Sequence, residues 1–319
     1  MRQFTSRLRM GSRGAGDADQ IVQRHPQIAL KEGAMTAEAF FAAFQERFLA
    51  WAGGVESIRL ILRVGSRARA VHPGDADSDL DLELFGEGID GAAIQAWLRG
   101  HAPLWMMLER QEHHSREWLA LYAGGYKVDV SISPLADLET IIGSGGLWSS
   151  QQRGYAVLLD RDRYAERLPP PAAMGISAGA VPDAAAYRET VDEFWYGAVY
   201  VAKQIKRGKL WKAKWADQMQ QRSLLTMLEW QAQAIHPGGI DTWHNGDFMQ
   251  EWVSADIWER LHGVFARFDA EDCWRALAAS MRLFDELARQ VAQAHGYVYP
   301  AQMAEAVAAY VEQGSGVGD

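Results

Sequence analysis

The sequence predicts an α+β protein, with a mixed-sheet first half and an all-helical second half, and three observations carry the prediction. Short apolar runs of strand character cluster between Ile58 and Ile132. Apolar residues at three-to-four spacing dominate after Ala184, and a Pro- and Gly-containing stretch separates the two regions. With 319 residues and 48% hydrophobic composition, the chain is large enough to bury two cores. The expected organisation is a flexible extension over 1–34, a sheet domain over 35–170, a linker over 171–183, a helical domain over 184–312 and a tail over 313–319.

The elements follow in order. Residues 1–34 mix Arg, Gly, Ser and Asp without periodicity, and Met35 offers an alternative start. Phe40, Phe41, Phe44, Phe48 and Trp51 recur at helical spacing behind Thr36, a capping residue, and Gly53-Gly54 ends that helix. Ile58–Val64 is a β-rich run that stops at Gly65, and a loop from Arg67 to Ser78 contains Pro73 and Gly74. Asp79–Phe85 alternates acid and apolar residues with period two, so one face is buried and the other carries carboxylates. A helix is predicted over 89–100, then an apolar patch over 104–108 and strands over 118–123 and 127–132 around a Gly124-Gly125 turn. Gly143-Ser144-Gly145-Gly146 lacks a following Lys-Ser/Thr and reads as a loop, not a phosphate loop of the P-loop kind. Pro169-Pro170-Pro171 opens the linker, and helices are predicted over 184–207, 212–234, 248–253, 257–268 and 273–296. Trp211, Trp215, Trp230, Trp252, Trp258 and Trp274 fit the apolar faces of those helices.

Composition narrows the function. A net charge of -9 argues against a protein that grips nucleic acid along its phosphates, and suits a cationic small substrate. No run of about twenty apolar residues is present and the basic N-terminus has no apolar stretch behind it, so the expectation is a cytoplasmic protein without a membrane span. A lone cysteine, Cys273, reads as a small buried side chain. His113-His114 has no partner at metal-binding spacing.

Asp79 and Asp81 stand two apart on one strand, so their Cβ atoms lie about 6–7 Å apart on one face. Both can reach one divalent metal or straddle a pair. Asp129 is a third acid inside an apolar strand, where an unpaired carboxylate is costly and a metal cluster removes the cost. Gly65-Ser66, at the end of a strand, permits close backbone approach to phosphate oxygens and supplies a hydroxyl. Hard oxygen ligands of this kind suit Mg²⁺.

The order Gly-Ser, Asp-x-Asp, Asp resembles the polymerase-beta-like nucleotidyltransferase superfamily. Gly65-Ser66-Arg67, Asp79-Leu80-Asp81, Val128-Asp129, Val157–Asp160, Asp192–Tyr196, Tyr200–Lys203, Arg222–Trp230 and Gly296–Pro300 are similar to bacterial aminoglycoside 6-adenylyltransferases, a likeness that covers about residues 36–311. The family usually shows Asn-Glu-Phe-Trp-Trp where this chain has Asp192-Glu193-Phe194-Trp195-Tyr196. The resemblance implies a nucleotidyltransferase sheet domain, with ATP and the acceptor meeting between it and the helices. It implies transfer of AMP from Mg·ATP to a hydroxyl of an aminoglycoside-like acceptor, with release of pyrophosphate. Asp79, Asp81 and Asp129 would hold the metal, and Asp129 would be the general base. Gly65, Ser66, Arg67 and Lys203 would bind the nucleotide, and Asp192, Glu193 and Trp195 would face the cationic acceptor. The alternatives are a nucleotidyltransferase with another small-molecule or protein acceptor and a non-catalytic nucleotide-binding protein; monomer and homodimer fit equally.

Overall fold

The structure, a computed structural model, describes residues 35–112, 115–171, 182–236 and 239–315. The predicted 1–34 extension, His113-His114, most of the predicted linker, Pro237-Gly238 and the last four residues lie outside these described residues.

Helix α1 (Ala37–Ala52) starts where Thr36 Oγ1 accepts the Ala39 amide at 3.2 Å. Its phenylalanines pack on one face of a six-stranded sheet, β1 (Ile58–Val64), β2 (Leu80–Gly86), β3 (Leu104–Glu112), β4 (Ser115–Tyr122), β5 (Lys127–Ser133) and β6 (Ala156–Asp160), in the order β3-β4-β5-β2-β1-β6. Only β2 and β5 run parallel; every other neighbouring pair is antiparallel, so the sheet is mixed.

Two apolar layers clothe the sheet. Helices α1 and α2 (Gly91–His101, capped by Asp90) cover one face through Phe44, Phe48, Ile94 and Leu98, against Leu80, Leu82, Leu84, Val128 and Val130. Burying each such side chain contributes about 1.5–3 kcal/mol. On the other face, Leu60, Leu62, Val64 and Phe85 pack with Leu138 and Ile141 of α3 (Leu135–Ser144) and with Tyr164 of a short 3₁₀ turn (Tyr164–Glu166). Because side chains alternate along a strand, the carboxylates of β2 and β5 share this second face, where α4 (Ser149–Gln152) also sits.

The helical half comprises α5 (Ala184–Lys206), α6 (Leu210–Ile235), α7 (Met249–Trp252), α8 (Ala255–Leu261), α9 (Ala270–His295) and α10 (Ala301–Ser315). Phe194 of α5 stacks on Phe284 of α9 with centroids 3.7 Å apart, at the centre of a core shared by α5, α6, α9 and α10. No described helix is long and apolar enough to cross a membrane.

Several elements differ from expectation. The patch over 104–108 is part of an edge strand, β3, and β6, α3 and α10 emerge where no regular element was predicted. Helix α8 ends at Leu261, seven residues short of the predicted end. Of the tryptophans assigned to apolar helix faces, Trp252 is buried, whereas Trp211 is 82% and Trp215 59% exposed. They sit on the first turns of α6, with Trp211 edge-on to Phe268.

Candidate active site

Parallel pairing of β2 with β5 sets Asp81 opposite Asp129 in register, with strands spaced about 4.8 Å apart. Asp79 lies one residue before β2, and Lys127 opens β5, so a second pair stands directly beside the first. Lys127 Nζ donates to Asp79 Oδ2 at 2.5 Å and to Asp129 Oδ2 at 3.0 Å. Burial pulls the Lys127 ammonium down, but these two hydrogen bonds hold it above the usual lysine value.

The carboxylates are poorly solvated. Burial, reinforced by the charges of Asp129 and Asp79, pushes the Asp81 carboxyl up to about 7. Burial also raises Asp129, against the opposing pull of Lys127, and its Oδ1 is buried with no hydrogen-bond partner. Two acids destabilised by burial, one with an orphaned oxygen, need a cation of more charge than a single ammonium.

Gly65 ends β1 directly beneath this pair. Its φ is +67°, and a Cβ built there would overlap the Asp81 carboxylate, so any side chain would displace the acid. The following loop folds back through Gly74 N donating to Ser66 O at 2.7 Å. Arg67 donates through Nε and Nη2 to Ser78 O at 3.1 and 3.0 Å and through Nη2 to Asp75 O, with its guanidinium 4.0 Å from the Phe41 ring centroid. Arg67 therefore shapes the loop.

Glu83, two residues beyond Asp81 on the same face, accepts from Ser150 Oγ and Gln151 Nε2, each at 2.6 Å, and so holds α4 to the carboxylate strand. From the end of α4, Arg153 makes a paired contact with Asp241 of the helical half, Nε–Oδ2 2.9 Å and Nη2–Oδ1 2.8 Å. Close by, His72 of the Gly-Ser loop stacks on Phe248 at 3.8 Å, and its Nε2 donates to Glu251 Oε2, 2.9 Å away. Lys127, Glu83, Arg153, Asp241 and His72 were all missed as site residues. Only Glu83 left a signal, its place in the period-two run.

The acceptor-side candidates lie elsewhere. Asp192, Glu193 and Trp195 line a groove with Tyr196, Val199, Met303 and Val307, built from α5 and α10 and containing no sheet residue. Asp192 is paired with Arg188, and Trp195 is 2% exposed against Phe194 and Phe284. Lys203 sits in the last turn of α5 beside Met303, Val307 and Tyr310. Helices α5 and α6 are joined by three residues and pack together as a hairpin, and Lys203 lies near the end that carries this connection, against α10. The structure does not bring it to the carboxylates. A cavity of about 420 Å³ between α6, α8 and Met249 is lined by no carboxylate and does not house this chemistry.

Among the described residues no three His, Cys, Asp or Glu side chains converge as a ready metal cage. The donor chemistry nevertheless fits a hard divalent ion, through the orphaned Asp129 oxygen and the strained Asp81 charge.

A mixed sheet thus sets the Gly65-Ser66 turn against the paired aspartates Asp81 and Asp129. The sequence model of the streptomycin adenylyltransferase family matches residues 42–314, and the chain belongs to that family. It is 24% identical to an aminoglycoside 6-adenylyltransferase of Bacillus subtilis (strain 168) over 264 residues, 79% of this chain and 90% of the relative. Identity to an aminoglycoside 6-adenylyltransferase of Campylobacter jejuni is also 24%, over 76% of this chain and 85% of that protein. The crystal structure of an aminoglycoside 6-adenyltransferase from Bacillus subtilis aligns with 88% of this chain and 99% of its own, at 20% identity and a TM-score of 0.42.

Proposed function

We propose that the protein transfers AMP from ATP to a hydroxyl of an aminoglycoside-like polycation, releasing pyrophosphate, with Mg²⁺ as cofactor. The observation that carries the reading is the packing of Gly65 directly under Asp81, opposite the orphaned oxygen of Asp129. The names of its relatives and its acidic charge support the acceptor class.

Asp79, Asp81 and Asp129 would hold Mg²⁺, which when bound neutralises phosphate charge and makes a hydroxyl easier to deprotonate. The backbone at Gly65 and Ser66 lies open to the phosphates, fixed in shape by Arg67. Asp129 Oδ1, free of protein partners and raised in proton affinity by burial, accepts the proton of the attacking hydroxyl. The Arg153–Asp241 ion pair ties the end of α4, which Glu83 holds to the carboxylate strand, to the helical half.

Incubation with each of the four nucleoside triphosphates, Mg²⁺ and a panel of aminoglycosides, with pyrophosphate and product mass followed together, tests the whole reading. AMP attached to an aminoglycoside is the expected product. Nucleotide consumption with some other acceptor in the panel would move the assignment to another nucleotidyltransferase, and no turnover with any nucleotide would leave a binding protein. On the acceptor side, exposed Glu193 would pair with a ligand ammonium. Glu193→Gln should raise the acceptor KM about ten-fold and leave the KM for ATP unchanged, because removing one ion-pair partner costs about 1–3 kcal/mol. An unchanged acceptor KM assigns the α5–α10 groove another role.

A further inference from the structure

We infer that Lys127 competes with the divalent cation for Asp79 and Asp129, and thereby makes metal binding depend on nucleotide. The inference rests on the reading of Asp79, Asp81 and Asp129 as the metal site.

The ammonium of Lys127 lies between two of the three carboxylates, 2.5 Å from Asp79 Oδ2 and 3.0 Å from Asp129 Oδ2. A divalent ion that bridges these acids has to take the same ground, since two cations so close would repel each other strongly. A simple structural ion pair has no such consequence, because its acids serve nothing else. These two flank Asp81, which faces Asp129 in register and feels the charge of both.

Lys127 is suited to yield. Its side chain is 39% exposed, so the head group can move into solvent without the cost of burying a charge elsewhere. It is the first residue of β5, one residue past the Gly124-Gly125 turn, and its long stem gives the ammonium several ångströms of travel while the strand stays in place. Displaced, it is a free cation at the edge of a site that receives a polyanion. The triphosphate supplies the countercharge that Asp79 and Asp129 withdraw. Metal alone must break the pair without compensation, whereas metal with nucleotide replaces it, so each ligand strengthens the other.

Mn²⁺ titration followed by electron paramagnetic resonance, without nucleotide, tests the competition on the full chain. Lys127→Met should bind Mn²⁺ about ten-fold more tightly than the wild type, and Lys127→Arg should not, because it keeps the competing charge. Adding a non-hydrolysable ATP analogue should tighten Mn²⁺ binding in the wild type and do so several-fold less in Lys127→Met. Equal or weaker Mn²⁺ binding by a folded Lys127→Met would overturn the inference. If that variant fails to fold, Lys127→Gln replaces it, with the same expectation. Asp81→Asn and Asp129→Asn separate the two layers of the argument. Loss of Mn²⁺ binding in these variants with no gain in Lys127→Met refutes the competition alone, and unaltered binding in both refutes the metal site itself.

Discussion

The fold disfavours the charged form of Asp81. With its carboxyl pushed up to about 7 by burial and by neighbouring acids, the charged form destabilises the folded protein near neutral pH. Asp81→Asn keeps the shape and removes that charge. We expect turnover to fall by roughly 10³-fold or more while the melting temperature in metal-free buffer stays level or rises by a few degrees. A lower melting temperature would mean that Asp81 stabilises the sheet and is not a tuned site carboxylate. Gly65 makes the complementary case. Gly65→Ala forces a Cβ into the Asp81 carboxylate at a backbone φ of +67°, so activity should drop at least about 100-fold, with a stability cost of about 1–2 kcal/mol measurable by denaturant titration.

The α1–α2 layer shows what the sequence conveys about an element. The spacing of Phe40, Phe44 and Phe48 is sufficient to place a helix on a core, and the aromatic ring set of Trp97, Tyr122 and His101 completes it. His101 packs 4.9 Å from Trp97 and 4.7 Å from Phe44, and burial, aided by Arg47, holds its pKa below the ordinary 6.5. The unfolded chain therefore takes up a proton before the folded one does. Stability should be full above about pH 6.5 and should decline as pH falls from there toward the lowered folded value, below which the loss levels off. His101→Phe should flatten this part of the stability profile, and an unchanged slope between pH 7 and pH 5 would assign the effect to other groups. The elements that went unpredicted lack such a signature. Strand β3 is an edge strand with Trp105, Met106 and Leu108 more than half exposed, so its apolar residues do not alternate. Strand β6 is recognisable only by its antiparallel pairing with β1, a partner about 100 residues away in the chain.

Across the whole molecule, the two halves meet through few but specific contacts. Arg153 and Asp241, whose side chains are 16% and 13% exposed, join α4 to the segment after α6. Trp243 and Phe248 take His72 and Arg69 from the Gly-Ser loop. His72, Trp243, Asn245 and Phe248 all have positive φ, and such backbones persist only where surrounding contacts enforce them. Arg153→Met leaves the Asp241 carboxylate unpaired in this joint, which should cost about 3 kcal/mol. A melting temperature lower by several degrees, with the acceptor and nucleotide KM both raised, is the expected result; a shift of less than a degree would show that the joint carries little of the interdomain stability.

Much of this was fixed locally. Period two in Asp79–Phe85, the glycine ending β1 and the aromatic stripe of α1 each follow from nearest-neighbour geometry, so the sequence alone placed Asp81 and Asp129 on strands and Gly65 at a turn, with Asp79 falling one residue before its strand. Tertiary structure decided which of these meet. Parallel pairing of β2 with β5 aligned Asp81 with Asp129 and brought Lys127 between Asp79 and Asp129, and that register depends on contacts some fifty residues apart. Long-range packing also put Glu83 under α4, while Arg67 folds onto its own loop and Lys203 sits in the last turn of α5. Charge and spacing show what a side chain can do; the strand register and the closing of the two halves determine what it touches.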